Sequence, residues 1–143
     1  MEKQELLNFV RGKLMSSDIG PKDTLVLAIS GGADSMALLD IMNKLFGELN
    51  VEIVPVHINH GLRSDAKKDE QAVLDYCLKN KLELVVRRVN VKKVLGAQGG
   101  GIEEKARELR YVALNQVALR QKAKYIITAH NADDRSRQLF LTF

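Results

Sequence analysis

The chain has 143 residues, which is enough for one domain built as a sheet with helices on both faces. Hydrophobic residues make up 45% and charged residues 28%, as in ordinary globular proteins, and no apolar run is long enough to span a bilayer. Since a secretory signal pattern is also missing, we expect a cytoplasmic protein with no membrane partner. The net charge of +4 suits a polyanionic partner. The pairs of adjacent basic residues along the chain are, however, equally compatible with ordinary solvent-exposed surface.

The chain contains one cysteine, Cys77, at helical spacing from Val73. One thiol cannot form an intramolecular disulfide, and it excludes a cysteine-rich metal or cluster site made by this chain alone. The helical spacing favours a half-buried structural thiol over a nucleophile.

Helical and strand patterns alternate along the chain. Apolar residues recur every three or four positions in the predicted helices, as in the first, where Leu7, Val10 and Leu14 share one face. The predicted strands are short apolar runs bounded by turn signals. The predicted order is helix 3–15, strand 24–30, helix 35–49, strand 51–58, helix 64–80, strand 83–91, helix 101–122, strand 124–130 and the beginning of a further helix from residue 131. Pro55 has no N–H, so it predicts an irregularity or an edge position for the second strand.

This alternation predicts an α/β fold, a doubly wound, Rossmann-like parallel sheet in which each helix crosses over to the next strand. In such sheets the ligand lies beyond the carboxyl ends of the strands. Three segments rich in polar residues directly follow predicted strands, namely Ser30–Ser35, His57–Arg63 and His130–Asp134. We therefore expect these segments to meet at one edge of the sheet and to form the functional site.

The segment SGGADS, residues 30–35, joins the first strand to a helix. Its two glycines let backbone N–H groups approach an anion, and the helix N-terminus directs its positive dipole end to the same place. Ser30 and Ser35 can donate hydrogen bonds to phosphate oxygens. Asp34 is a candidate Mg²⁺ ligand, because a carboxylate beside a phosphate needs a cation between them. Neither GxxxxGKS/T nor GxGxxG occurs in the chain, and the alternative is a tight strand–helix turn with incidental polar residues.

The SGGADS segment resembles the SGGxDS signature of the PP-loop ATP pyrophosphatases. Three further segments are VHINHGLR at 56–63, GIEEKARELRY at 101–111 and TAHNADD at 128–134. Together the four segments are similar, in order and spacing, to the amino-terminal domain of the tRNA(Ile)-lysidine synthetases. The resemblance covers residues 21–134 and is much more specific than any one segment.

The resemblance implies a two-step reaction that uses ATP, Mg²⁺, tRNA(Ile) and free lysine. In the first step, the C2 carbonyl oxygen of an anticodon cytidine attacks the α-phosphate of ATP and releases pyrophosphate. In the second step, the lysine amine displaces AMP from C2 and gives lysidine.

The resemblance also implies the roles of individual residues. The implied catalytic residues are Asp34, Arg107, Arg110, His130 and Asp134. Of these, the two aspartates are the implied Mg²⁺ ligands. The implied nucleotide contacts are Ser30, Gly31, Gly32, Ala33, Asp34, Ser35 and His57.

The histidines after the second strand allow another interpretation. His57 and His60 are three positions apart, as in some metal sites, but no cysteine or carboxylate lies at ligand spacing and a strand end is a poor frame for chelation. We expect instead that one imidazole packs near the nucleotide and that Arg63 faces phosphate or RNA.

Two other features also have simpler interpretations. Arg107 and Arg110 are neighbours on one helical face. They either form surface ion pairs with Glu103 and Glu104 or bind the α-phosphate together through their guanidinium groups. Asp133 is a candidate helix N-cap.

Residues 135–143, RSRQLFLTF, depart from the family pattern. Arg135 stands where family members usually have Gln, and the acidic residue expected shortly afterwards is absent. We expect a truncated PP-loop domain with a leading helix and turn (1–20), a family-like core (21–134) and a divergent tail. We also expect marginal stability or self-association, with a homodimer as one form.

Three functions are compatible with these features. The first is the amino-terminal part of a lysidine synthetase, active only within the full-length enzyme. The second is another PP-loop adenylating enzyme, either an amide-forming synthetase or a tRNA thiolase, and the thiolase is disfavoured because its chemistry usually requires paired cysteines. The third is a non-catalytic ATP-binding fragment.

Overall fold

The computed structural model describes residues 3–61, 66–90, 101–131 and 139–142, with side chains as far as residue 129. The helices in these ranges are α1 (Lys3–Met15), α2 (Ala33–Leu49), α3 (Ala66–Lys79) and α4 (Ile102–Gln121). The strands are β1 (Thr24–Ala28), β2 (Glu52–Asn59), β3 (Val85–Arg88), β4 (Tyr125–Asn131) and β5 (Leu139–Thr142). None of the described helices is both long and apolar enough to cross a bilayer.

The described strands form one sheet in the order β3-β2-β1-β4-β5. The central strand β1 pairs in parallel with β2 and β4, and β2 pairs in parallel with β3. The prediction of an α/β fold with a parallel sheet is therefore confirmed. In contrast, β5 is antiparallel to β4, so the predicted helix is wrong for residues 139–142. This apolar run is too short to establish a helical period, and pairing with β4 satisfies its backbone groups.

The sheet has an apolar core on each face. Odd-numbered side chains of β1, such as Leu25 and Leu27, pack with buried residues of α1, α2 and α3, whereas Val26 packs with buried residues of α4. Each fully buried Leu or Val contributes about 1.5–3 kcal/mol relative to an exposed one. The buried residues of α4 are Ala106, Ala113, Leu114 and Val117, while Ile102 remains 39% exposed. Cys77 on α3 is fully buried rather than half-buried, and burial raises the pKa of its thiol.

Pro55 does not mark an edge strand, because β2 lies between β1 and β3. The carbonyl of Val56 accepts from Ile29 beside β1, and the carbonyl of Asn59 accepts from Val89 on the β3 side. Odd-numbered residues of β2 therefore direct their backbone groups towards β3. The pairing with β3 begins only at Val56, one residue after Pro55, so the missing N–H removes no bond from that ladder.

A polar cluster joins the three helices on one face of the sheet. Asp40 of α2 accepts a hydrogen bond from the Tyr76 hydroxyl of α3 at 2.8 Å and forms ion pairs with Lys3 and Lys44, each at 3.2 Å. Burial acts to raise the pKa of Asp40, but the hydrogen bonds from Tyr76 and the lysines outweigh it and hold that pKa below its usual value. Burial and the bond to Asp40 raise the pKa of Tyr76 to about 12. The cluster fixes α1 and α3 to α2 and lies apart from the carboxyl ends of the strands.

Candidate functional site

A cleft of about 640 Å³ opens at the carboxyl ends of β1, β2 and β4. One side is formed by the loop after β1 and the first turn of α3, and the other side by α4. The residues that line this cleft include Ser30, Gly32, His57, Asp69, Arg107 and Arg110. The structure thus brings together the loop, the histidine and the two arginines that the sequence singled out.

The loop after β1 is held by an internal hydrogen-bond network. The buried Ser35 hydroxyl accepts from the N–H of Gly31 at 3.0 Å and from the Ser30 hydroxyl at 3.1 Å. It donates to the carbonyl of Gly32 at 3.0 Å, and the N–H of Gly32 donates to the Ser30 hydroxyl at 3.2 Å. In this arrangement the proton of Ser35 is used within the loop. Ser35 therefore shapes the loop, while Ser30 lies at the cleft surface.

The two glycines of the loop are required for different reasons. Gly31 has a φ of +94°, and a Cβ on it would lie 2.7–2.8 Å from the backbone and Cβ of Asp69 in α3. Both the positive φ and the close approach of α3 exclude a side chain there. Gly32 has a φ of −75°, and a Cβ on it would meet only Ser30 Oγ at 3.5 Å. Packing of the described residues does not require glycine at position 32, so its bare backbone leaves room for a ligand in the cleft.

The N-terminus of α2 offers backbone donors at this loop. Gly32 is the N-cap residue, and no side chain caps it among the described residues. The N–H of Met36 is bonded to the carbonyl of Gly32, so the N–H groups of Ala33, Asp34 and Ser35 precede the first intrahelical bond. Such groups, together with the helix dipole, stabilise an anion at this position.

His57 anchors the end of β1 from the neighbouring strand. Its side chain is 3% exposed, and its Nδ1 lies 2.8 Å from the carbonyl oxygen of Ile29, the residue before the loop. Because that carbonyl can only accept, Nδ1 carries the hydrogen and donates it. His57 therefore fixes the backbone from which the loop departs.

The α4 side of the cleft carries two guanidinium groups. The Cζ atoms of Arg107 and Arg110 are each 5.9 Å from the ring centroid of Tyr111, which is within cation–π range. Neither arginine forms an ion pair with Glu103, Glu104 or another acidic residue in the described part of the chain. The sequence alternative of surface ion pairs with these glutamates is therefore not observed. Both residues line the cleft.

The α3 side of the cleft includes acidic groups that the sequence analysis did not single out. Asp69 lines the cleft, and Glu70 beside it accepts from Asn59 at 3.2 Å and pairs with Arg88 at 2.8 Å. Burial acts to raise the pKa of Glu70, but the Asn59 hydrogen bond and the charge of Arg88 hold it below its usual value. The position of Asp69 in the first turn of an amphipathic helix was visible in the sequence. Its approach to Gly31 depends on tertiary packing and had no sequence signal.

The remaining predicted site residues are not brought to the cleft by described contacts. Ala33 and Asp34 begin α2 beside the loop but are not among the lining residues. The backbone of His130 lies in β4 opposite Phe140 of β5. Arg63, Asp133 and Asp134 lie outside the described residues. Among the residues that are described, no three acidic, histidine or cysteine side chains are grouped so that they could hold a metal ion.

The family model of the PP-loop domain matches residues 3–143, almost the whole chain. This chain belongs to the PP-loop domain family. The match includes the loop at 30–35, the α4 wall and β4, which together form the cleft described above.

Curated relatives of this PP-loop domain include tRNA(Ile)-lysidine synthases from three bacteria. The protein from Pseudothermotoga lettingae is 43% identical over 116 residues, which is 81% of this chain and 26% of the relative. The protein from Clostridium acetobutylicum is 38% identical over 88% of this chain and 28% of its own length, and that from Thermus thermophilus is 37% identical over 86% and 24%. The chain thus spans about a quarter of the length of these relatives.

Solved structures support the fold of this PP-loop domain. The U34-tRNA thiolase NcsA from Methanococcus maripaludis, solved with its [4Fe-4S] cluster, gives a TM-score of 0.77 at 19% identity, over 92% of this chain and 46% of that one. The NH3-dependent NAD synthetase from Campylobacter jejuni gives 0.61 at 16% identity, over 90% and 56%. At these identities the likeness establishes the α/β fold alone.

Proposed function

We propose that this PP-loop domain binds ATP in the cleft and serves the synthesis of lysidine in tRNA(Ile). One observation carries the proposal. Gly32, the uncapped N-cap residue of α2, lines the same cleft as Arg107 and Arg110, which have no ion pair among the described residues. Backbone N–H groups and a helix dipole on one side and bidentate donors on the other suit a polyphosphate between them. The curated relatives named above support the choice of lysidine synthesis among the reactions of PP-loop proteins.

In this proposal the loop holds the phosphates of ATP. Gly31 and Gly32 bring the backbone close, and the N–H groups of Ala33 to Ser35 contact phosphate oxygens. The Ser30 hydroxyl donates to a phosphate oxygen in place of its bond to Ser35, and His57 supports the loop through Ile29. Arg107 and Arg110 stabilise the negative charge that develops at the α-phosphate when pyrophosphate leaves. The domain's contribution is therefore alignment and charge stabilisation at one phosphorus atom.

Mg²⁺, His130 of β4 and Asp134 complete the proposed site. Mg²⁺ commonly binds through one or two carboxylates together with substrate phosphates, so the single carboxylate of Asp34, half-buried at the start of α2, suits an ion that arrives with ATP. Asp134 is the second proposed ligand, and His130 is proposed to contact ATP or the adenylated intermediate. The ion would neutralise phosphate charge.

The proposed substrates are tRNA(Ile) and free lysine, in the cytoplasm. The C2 carbonyl oxygen of the anticodon cytidine attacks the α-phosphate, the bond to pyrophosphate breaks, and the amine of lysine then displaces AMP from C2. A homodimer is the proposed form if the isolated domain self-associates. The thiolase alternative gains no support from the chemistry of this chain, since the one cysteine is buried and cannot by itself hold an iron–sulfur cluster.

Pyrophosphate release tests the proposal. The assay would use ATP, Mg²⁺, tRNA(Ile) and lysine, with this chain and with a version extended past residue 143, and Asp34→Asn as the matched variant. We expect release that requires tRNA(Ile) and is strongly reduced in Asp34→Asn. Release that depends on a small carboxylic acid rather than tRNA would assign an amide-forming reaction instead. ATP binding with no release under any of these conditions would restrict the function to nucleotide binding.

A further inference from the structure

Two polar side chains are buried among the described residues, Ser35 and His57, and both support the loop after β1. Ser35 uses its whole hydroxyl inside the loop, whereas His57 uses one ring nitrogen. We infer that the other nitrogen, Nε2, accepts a hydrogen bond from an O–H or N–H donor of the nucleotide, so that His57 helps to determine which nucleotides bind. This inference rests on the proposed binding of ATP in the cleft.

The orientation of the ring follows from its partner. Nδ1 donates to the Ile29 carbonyl at 2.8 Å, and Ile29 is itself held by its N–H bond to the carbonyl of Val56 at 2.9 Å. The ring is therefore fixed against β1 and β2 together. In the neutral ring with hydrogen on Nδ1, Nε2 carries a lone pair and can only accept.

The surroundings of Nε2 show that it opens into the cleft. No described side-chain nitrogen or oxygen that is fully buried lacks a hydrogen-bond partner. No hydrogen bond joins Nε2 to another described residue, so Nε2 keeps a small solvent contact although the residue is only 3% exposed. His57 lines the cleft, so that contact is with the cleft. A pre-oriented acceptor at the base of a binding cleft distinguishes ligands that carry a donor from those that do not, because a buried acceptor left unsatisfied costs free energy.

Only two parts of ATP can supply the donor, namely the ribose hydroxyls and the 6-amino group of adenine. The test therefore compares ATP with 2′-deoxy-ATP, 3′-deoxy-ATP and purine riboside triphosphate, all with Mg²⁺ and at mildly alkaline pH, by calorimetry or fluorescence titration. We expect one of the three analogues to bind the unmodified protein about 3- to 10-fold more weakly than ATP, as for the loss of one hydrogen bond. Equal affinity for all four nucleotides would overturn the inference.

His57→Asn separates the two nitrogens, because the amide nitrogen of Asn can replace Nδ1 while nothing replaces Nε2. The discriminated analogue is the one that binds the unmodified protein more weakly than ATP. We expect His57→Asn to bind ATP with the affinity that the unmodified protein has for this analogue. We also expect His57→Asn to bind ATP and this analogue equally well. His57→Gln, which has no donor at the Nδ1 position, is expected to lower the Tm more than His57→Asn does. If His57→Asn weakens all four nucleotides by the same factor and keeps the discrimination, His57 is only a support of the loop.

A measurement on the unmodified protein keeps the test independent of the stability of the variants. The chain has three histidines, so ¹⁵N NMR of the ring nitrogens can follow Nε2 of His57 directly. We expect its chemical shift to move on addition of Mg²⁺-ATP and to move much less with the discriminated analogue. An unchanged Nε2 with saturating ATP would overturn the inference while leaving the proposed function intact. Absence of ATP binding itself would instead contradict the proposed function.

Discussion

The two sides of the cleft are built in different ways. On the side of β1, the loop is held by hydrogen bonds among Ser30, Ser35 and the glycines, and by His57 below it. On the side of α4, Arg107 is exposed, Arg110 is half-buried, and both are supported by one partly exposed Tyr111 ring. The loop is therefore organised before a ligand arrives, whereas the guanidinium groups acquire their strong partners only from the ligand.

Because of this difference, substitutions can be predicted to change either the free energy of unfolding or the affinity for ATP. On the loop side, changes at Gly31 and Ser35 disturb contacts that the folded protein already makes, so they affect the free energy of unfolding. Changes on the α4 side remove charge that has no ion-pair partner among the described residues, so they affect ligand affinity alone. The comparison fails if both sides respond in the same way.

The largest effect is expected from the arginines. Arg107→Ala and Arg110→Ala each remove a charge-assisted hydrogen bond to the nucleotide, and each should weaken ATP binding by about 10- to 100-fold. The Tm should stay close to that of the unmodified protein. Arg120→Ala is the matched control, because Arg120 is exposed in the last turn of the same helix and outside the cleft. A clear drop in Tm for Arg107→Ala or Arg110→Ala would show that these arginines are structural.

The next largest effect is expected from the first glycine of the loop. Gly31→Ala places a Cβ 2.7–2.8 Å from Asp69 at a positive φ, and we expect it to lower the free energy of unfolding by about 1–3 kcal/mol. Gly32→Ala has space and an ordinary φ, so its unfolding curve should be nearly unchanged while its ATP affinity falls. Denaturant unfolding and ATP titration of both variants check this. Equal stability of the two variants would contradict the separate reasons given for the two glycines.

A smaller loss is expected from Ser35→Ala. The change leaves the N–H of Gly31 without its partner, while the carbonyl of Gly32 keeps its bond from the N–H of Met36, and we expect a cost of about 1–2 kcal/mol. Ser16→Ala is the control, because the Ser16 hydroxyl is exposed and donates to the backbone carbonyl of Lys13. This substitution should change the free energy of unfolding by less than about 0.5 kcal/mol. Urea unfolding of both variants measures the difference. A Ser35→Ala chain as stable as Ser16→Ala would mean that the loop is held by other contacts.

The smallest effect is expected at Tyr111. Tyr111→Phe keeps an aromatic ring for both guanidinium groups and should bind ATP as the unmodified protein does. Tyr111→Leu removes the ring, and the loss of the cation–π contact should weaken ATP binding by about two- to fivefold. If Phe and Leu behave alike, the ring does not orient the arginines.

Much of the fold could be predicted from local patterns. Strands β1, β2 and β4 are apolar runs bounded by turns, and the helices repeat apolar residues with the helical period, so their positions were predicted to within a few residues. The strand alternation also placed the loop and His57 at one edge of the sheet. β5 was not predicted, because four apolar residues have no distinguishable period and only pairing with β4 decides their conformation.

The internal organisation of the site could not be predicted in the same way. The sequence indicated phosphate contacts for both Ser30 and Ser35, but the partners of a hydroxyl depend on the exact path of the backbone, and here Ser35 is committed to the loop. Likewise, the close approach of Asp69 to Gly31 depends on how α3 crosses the sheet. The absence of ion pairs between Arg107 or Arg110 and the nearby glutamates among the described residues depends on rotamers that a sequence does not specify.

The order of strands also determines when the cleft can form during synthesis of the chain. β1 pairs with β2 soon after it in sequence, but its other partner is β4, with Leu25 beside Tyr125. Lys124 and Tyr125 then contact Asp18, which joins the start of β4 to the segment before β1. Pairing between such distant segments closes a large loop. On the ribosome, the loop and His57 therefore emerge first, the arginines follow with α4, which packs against Val26 of β1 and Val56 of β2, and β4 is the last of the parallel strands to emerge.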